Sequence, residues 1–230
     1  MTSYAFLIFA VALLAWIVAR GIREHRDAVA LRHRLLDEAT DVVDGARLTI
    51  APDQFPVVWG HVDDGRRIKI ELIADTMVTR RLPQLWLRIT LIETIERGGP
   101  TVGALARPTG AEYYSLVHDL PEWMAPPETG TSMLMRGDGR ATALEAALLR
   151  TRFQRLFADP LLKEVVVTPR ATRLMVQASE GERAAHLFLR QTRFPLATVP
   201  ADAIRSAIAM AKSMSTHLAE QDRADTHQAA

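Results

Sequence analysis

Residues 4–19 read YAFLIFAVALLAWIVA, an apolar run without a single charged side chain. As a helix at 1.5 Å per residue this run is about 24 Å long, and Thr2, Ser3, Gly21 and Ile22 extend it to about 30 Å, the thickness of a bilayer's hydrocarbon core. A helix that is apolar on every side has no wet face to offer at the surface of a soluble domain. The run stops at Arg20, and Arg23, His25 and Arg26 follow. Tyr4 and Trp16 stand near its two ends, where amphipathic rings favour the membrane interface. Arg20 has a stem long enough to reach the headgroups. The expected anchor is therefore residues 1–22, touching lipid through 4–19, with Tyr4, Trp16 and Arg20 at its borders.

A cleavable signal peptide and a buried core helix are the competing readings. The first requires a basic start and a small-residue cleavage site, whereas Met1, Thr2 and Ser3 carry no positive charge and Ile17-Val18-Ala19 is a poor site. The second would show a polar side at a chain end. An uncleaved single span fits better. Its positive flank lies on the C-terminal side only, so the positive-inside rule places Met1 outside and residues 20–230 in the cytoplasm. The corresponding location is a bacterial-type inner membrane.

Residues 23–44 continue as an amphipathic helix. Ile22, Val29, Leu36 and Val43 recur every seven residues, and the segment is basic first (Arg23, Arg26, Arg32, Arg34) and acidic later (Asp37, Glu38, Asp41, Asp44). A basic stretch beside anionic headgroups gains about 1 kcal/mol per charge. The same pattern also describes a solvated helix face. The heptad allows self-association, but Arg32 and Glu38 near the seam favour docking on the chain's own domain.

Residues 45–220 are expected to form one α+β domain, a mainly antiparallel sheet with helices on one face, followed by a flexible tail at 221–230. Segments 57–62 and 67–74 form a hairpin around Asp64-Gly65. A two-residue turn there pairs His61 with Ile68, Trp59 with Ile70 and Val57 with Leu72. Residues 84–93 alternate Leu85, Leu87, Ile89 and Leu91 against Trp86, Arg88 and Thr90, which is strand periodicity. Residues 96–140 are rich in Pro and Gly, yet carry Tyr113, Tyr114, Trp123, Met124, Met133 and Met135, too many large side chains for disorder. Within them 102–107 reads as a strand and 113–118 as a short strand or turn. Thr142 and Glu145 have capping-box spacing ahead of an apolar helical stripe. Strands are expected at 163–168, 173–178 and 184–191, and a helix from about 200 to 220.

The chemistry is defined mainly by exclusions. With no cysteine, disulfides, thiolate metal sites and a cysteine nucleophile are ruled out. Lys and Arg number 28 against 27 Asp and Glu, so no basic field points to nucleic acid. No phosphate-binding glycine loop, zinc-protease helix, nucleophile elbow or calcium loop occurs. No cofactor or metal is expected.

His61 and Asp63 share a strand face at metal-pair spacing, but the expected register turns His61 toward Ile68 and Ile70 as a core-edge residue. Ser115, His118 and Asp119 have the residue types of a triad, too close in sequence for the usual geometry. His118 and Asp119 remain the weak catalytic candidates. Trp123, Met124, Met133 and Met135 would suit either an adaptable partner surface or the packing of the loop on its own sheet.

The leading expectation is a non-enzymatic accessory or scaffolding part of a membrane assembly, with a protein partner or self-association. The alternative is a tethered enzyme or small-ligand-binding domain that uses 96–140 as a lid, with His118, Asp119, Arg107 and Tyr114 beneath it. A third reading makes the basic helix 20–34 a lipid sensor.

Overall fold

In a computed structural model, which describes residues 2–76, 81–189 and 192–228, the apolar run belongs to one unbroken helix, α1 (Thr2–His33). Met1, Arg80, the last residues of the expected 184–191 strand and the end of the tail lie outside the described residues. The apolar window of α1 is long enough to cross a membrane, and none of it is buried against protein. Sequence position and apolarity make α1 compatible with membrane anchoring and with a signal sequence.

No joint separates the apolar run from the amphipathic segment that follows it. The helix runs on to His33, then tightens into a 3-10 turn, Asp37–Asp41. The heptad divides there. Ile22 is 51% exposed, while Leu36 and Val43 are buried in the core. Just past the helix, Leu35 gives its carbonyl to the Val199 N–H at 2.8 Å. Glu38 takes the Ala201 N–H at 2.7 Å and so caps the helix at the far end of the chain.

Four strands then meander: β1 (Asp44–Ile50), β2 (Pro56–His61), β3 (Arg67–Asp75) and β4 (Gln84–Ile92). They are joined by β5 (Val102–Ala106), β6 (Glu122–Met124), β7 (Met133–Gly137), β8 (Leu162–Thr168) and β9 (Ala171–Glu180). The nine strands form one sheet in the order β1-β2-β3-β4-β9-β8-β5-β7-β6. Every described pairing is antiparallel. Three further helices are α2 (Ala143–Leu156), α3 (Arg183–Leu189) and α4 (Ala201–Gln228). The class is α+β, as the sequence implies.

The main core lies on one face of the sheet. Ile68, Ile70 and Leu72 of β3, Leu87, Ile89 and Leu91 of β4, and Leu174 of β9 pack with Phe153 of α2 and with Ile204, Ala207, Ala211 and Met214 of α4. The expected capping box on α2 is present, with Thr142 and Glu145 each bonding the other's backbone N–H.

The β2–β3 hairpin differs from its expected register by one residue. Asp63, Asp64 and Gly65 form the loop, with Val62 N–H bonded to Arg66 O at 3.0 Å and Gly65 N–H to Val62 O at 2.8 Å. Gly65 is left-handed at φ 82°, the geometry of a three-residue hairpin loop ending in a bulge. Ile70 now faces Val58, and Trp59 faces Lys69. A one-residue slip sends a strand's side chains to the opposite face, so His61 is exposed rather than at the core edge. Gly60 takes the core position, where a Cβ would meet Val43 Cγ2 at 2.6 Å.

One more expectation is corrected. Residues 184–189 of the strand expected at 184–191 belong to α3, because β9 already has β4 and β8 on its two edges and leaves no edge for a further hairpin partner. The 113–118 stretch, expected as a short strand or turn, is a turn followed by a 3-10 turn, Leu116–Asp119. Helix α4 extends to Gln228, into the residues expected as the tail.

Candidate functional site

The sheet face away from α2 and α4 is covered by residues 107–120. Charged side chains cross this face from strand to strand. Glu71 is bridged to Lys69 at 3.0 Å and to Arg88 at 2.7 Å. Glu164, fully buried, lies 3.1 Å from Arg173. Burial pushes the Glu164 carboxyl above its ordinary range, with Arg173 opposing. Arg173 also donates to the carbonyl of Tyr114, tying the covering segment down. The hydroxyl of Tyr114 donates to Asp75 at 3.0 Å, and Arg81 holds the same carboxylate at 2.6 Å.

The centre of this layer is Lys163. A bulge between Leu162 and Glu164 breaks the alternation of β8 and re-aims the lysine. Its ammonium lies 5.9 Å from the centre of the Trp86 ring. It donates to Ala106 O at 2.9 Å, Arg107 O at 3.0 Å and Glu112 Oε1 at 3.0 Å. An ammonium has three protons to donate, and all are used. Arg107 is held in the left-handed region at φ 49°, which presents two successive carbonyls to the same cation.

Glu112 is equally committed. It accepts from Thr109 N–H at 2.8 Å, the Thr109 hydroxyl at 2.9 Å and Gly110 N–H at 2.9 Å. His118 Nε2 lies 3.3 Å from its second oxygen. Burial opposes ionisation of this carboxyl, but Lys163 and the Thr109 bonds outweigh it and bring the pKa from 4.5 to about 2. Burial pulls the Lys163 ammonium below its ordinary range even with Glu112 beside it. Every polar hand of the pair is taken by the chain itself. The arrangement is a clamp that holds residues 107–120 on the sheet, and its groups have no free valence for a substrate.

The catalytic candidates His118, Arg107 and Tyr114 each meet a different partner. His118 meets Glu112, the Arg107 guanidinium bonds Leu162 O at 3.2 Å, Tyr114 meets Asp75, and Asp119 is exposed. Ser115 Oγ caps the 3-10 turn at Val117 N–H. Asp63 pairs with Lys212 of α4, fastening the hairpin tip to that helix. Among the described residues no group of three or more His, Asp or Glu side chains is gathered as for a metal ion. Met135 lies in the core and Met124 and Met133 pack against it. Trp123 is 70% exposed, with the Arg136 guanidinium 4.4 Å above its ring. Tyr4, Trp16 and Arg20 are exposed along α1, and Arg20 lies 5.5 Å over the Trp16 ring.

A groove of about 680 Å³ lies elsewhere, between α1 and the domain. One wall is α1 from Glu24 to Arg32 with Leu35 just past its end, and the other includes Phe55, Ile73, Ala74, Tyr113, Phe194 and Leu196. Arg32 closes one end, 4.9 Å over the Phe55 ring and bonded to Asp53 O at 3.4 Å. The volume is within the roughly 300–1,000 Å³ of ligand-sized cavities. Its lining starts four residues after Arg20, about 6 Å along the helix. The sequence signal for the α1 wall was the amphipathic segment 23–44, in which Ala28, Leu31 and Leu35 stand beside the heptad positions Val29 and Leu36. The opposite wall comes from segments far apart in the chain and had none.

Comparison with protein-family models, curated proteins and solved structures finds no significant match.

Proposed function

We propose that the protein is a single-span, non-enzymatic accessory or scaffolding component of a membrane assembly, its domain at the cytoplasmic face of a bacterial-type inner membrane. The observation that carries this reading is the exposed apolar helix running without a break into the groove wall of a folded domain. An unbroken helix fixes the height of the domain above the bilayer, which a flexible tether would not. The basic flank from Arg20 to Arg26 supports the orientation through the positive-inside rule. The commitment of Lys163 and Glu112 to the chain's own backbone supports a structural layer over a catalytic one.

A second reading, a small-ligand-binding domain, is favoured by the groove alone. In it residues 96–140 contribute Tyr113 rather than a lid, since 107–120 are clamped to the sheet.

The test is the native mass of full-length protein extracted in detergent, together with a carboxyl-terminal reporter. A stoichiometric partner or a defined oligomer, with a reporter active in the cytoplasm, is expected. A strictly monomeric particle without a partner, or a periplasmic reporter, overturns the assignment.

A further inference from the structure

The groove beside α1 has a charge pattern that its own fold does not use. Its lining holds Glu24, Asp27, Asp53 and Glu182 against Arg32 and Arg193. Some of these charges are spoken for. Glu24 pairs with Arg20 at 2.9 Å, the Asp53 carboxylate takes the Phe55 N–H at 3.1 Å, and Arg32 is spent on Phe55 and Asp53. No ion pair joins Asp27 or Glu182 to a cation among the described residues, and Arg193, whose carbonyl takes the Glu182 N–H at 2.7 Å, is the remaining positive charge of the lining. Between them the floor is apolar, with Leu31 47% exposed.

The position of the groove narrows the occupant. If residues 4–19 span the bilayer, Glu24 stands about 6 Å, Asp27 about 10 Å and Leu31 about 16 Å beyond Arg20 along the helix. The headgroup layer is about 5–7 Å deep on each side. Glu24 and Asp27 are thus level with the stretch where any other cytoplasmically flanked span leaves the membrane. Such flanks are enriched in Lys and Arg. A bilayer lipid matches less well, because along α1 the apolar Leu31 lies farther from Arg20 than the acidic Glu24 and Asp27, so a lipid chain on Leu31 would have to point away from the bilayer.

We infer that the groove between α1 and the domain binds the juxtamembrane segment of another membrane-spanning protein, a short stretch with apolar residues for the Leu31–Phe55–Phe194 floor and Lys or Arg for Asp27 and Glu182. This rests on the membrane-anchored reading and names the partner chemistry for it. The groove takes a few side chains, so the contact is local and adds to contacts within the membrane.

The test uses full-length protein in nanodiscs with a synthetic single-span peptide as probe. Its cytoplasmic flank alternates Leu with Arg and Lys, and a control peptide carries Glu at the basic positions. The basic peptide is expected to bind more tightly, and D27N/E182Q to weaken it about threefold to tenfold, the equivalent of two exposed ion pairs. Raised salt should weaken it likewise. Leu31→Trp, which fills the groove at an exposed position, should abolish binding with an unchanged thermal melt. Should that variant melt early, the charge variants decide alone. Equal binding of the acidic peptide, or binding indifferent to D27N/E182Q, overturns the inference. So does labelling of the groove by a photoreactive phospholipid in preference to the peptide.

Alkaline extraction of native membranes separates the two levels of argument. Release of the protein sinks the anchored reading itself, whereas retention without peptide binding sinks only the partner assignment.

Discussion

Replacing Lys163 by methionine should be among the most damaging single changes in the domain. Methionine preserves most of the volume beside Trp86 but removes all three donated hydrogen bonds. Ala106 O and Arg107 O lose their partner, and Glu112, which is fully buried, is left as a carboxylate without its cation. Breaking a buried pair from one side costs about 3–5 kcal/mol. The displacement of the Glu112 pKa from 4.5 to about 2 corresponds to roughly 3 kcal/mol at 1.36 kcal/mol per unit. That figure overstates the net worth of the pair. Lys163 is itself pulled below its ordinary range, so burial costs the cation more than the carboxylate returns. The double variant K163M/E112Q should therefore be less unstable than the sum of its parts, by a coupling of about 2 kcal/mol or more, because glutamine has no charge to desolvate and its one oxygen can still accept from Thr109. The assay is urea unfolding of full-length protein in detergent at pH 7, followed by tryptophan fluorescence. A loss below about 1 kcal/mol for K163M would refute the clamp. So would strict additivity of the two changes, since independent sites add.

The same carboxylate sets a pH dependence. A folded pKa below the unfolded one contributes stability that is present above pH 4.5 and lost as pH falls toward about 2. Wild-type protein should lose stability more steeply than E112Q across that window, as read by urea midpoints at a series of pH values. Gly60→Ala should destabilise by about 1–3 kcal/mol, since its Cβ would meet Val43 Cγ2 at 2.6 Å and Asp44 O at 3.0 Å, and a lowered melt checks it. Thr142→Ala removes half of the capping box on α2 and should cost about 1 kcal/mol, measured the same way.

The apolar helix, the α2 helix and the inward face of β4 were legible because each depends on a local pattern. Residues 4–19 are apolar at every position, Thr142 and Glu145 stand three apart, and Leu85 to Leu91 alternate. Such patterns determine which faces must be buried, and with them the α+β class. The hairpin shows where local reading stops. Asp64-Gly65 fits a two-residue turn as well as a three-residue loop, and the choice fell to the core, which buries Val58, Gly60 and Val62 rather than Trp59 and His61.

The clamp was hidden for a related reason. Lys163 sits in a run whose alternation points it toward the helices, and only the bulge in β8 turns it to Glu112, fifty-one residues away in the chain. Sequence alone determined that this chain has an apolar helix long enough to cross a membrane and an amphipathic sheet to bury under helices, because hydrophobic burial is read from composition and period. Tertiary structure alone decided which charges meet and where a groove opens, because those depend on side chains that distant segments bring within a few ångströms.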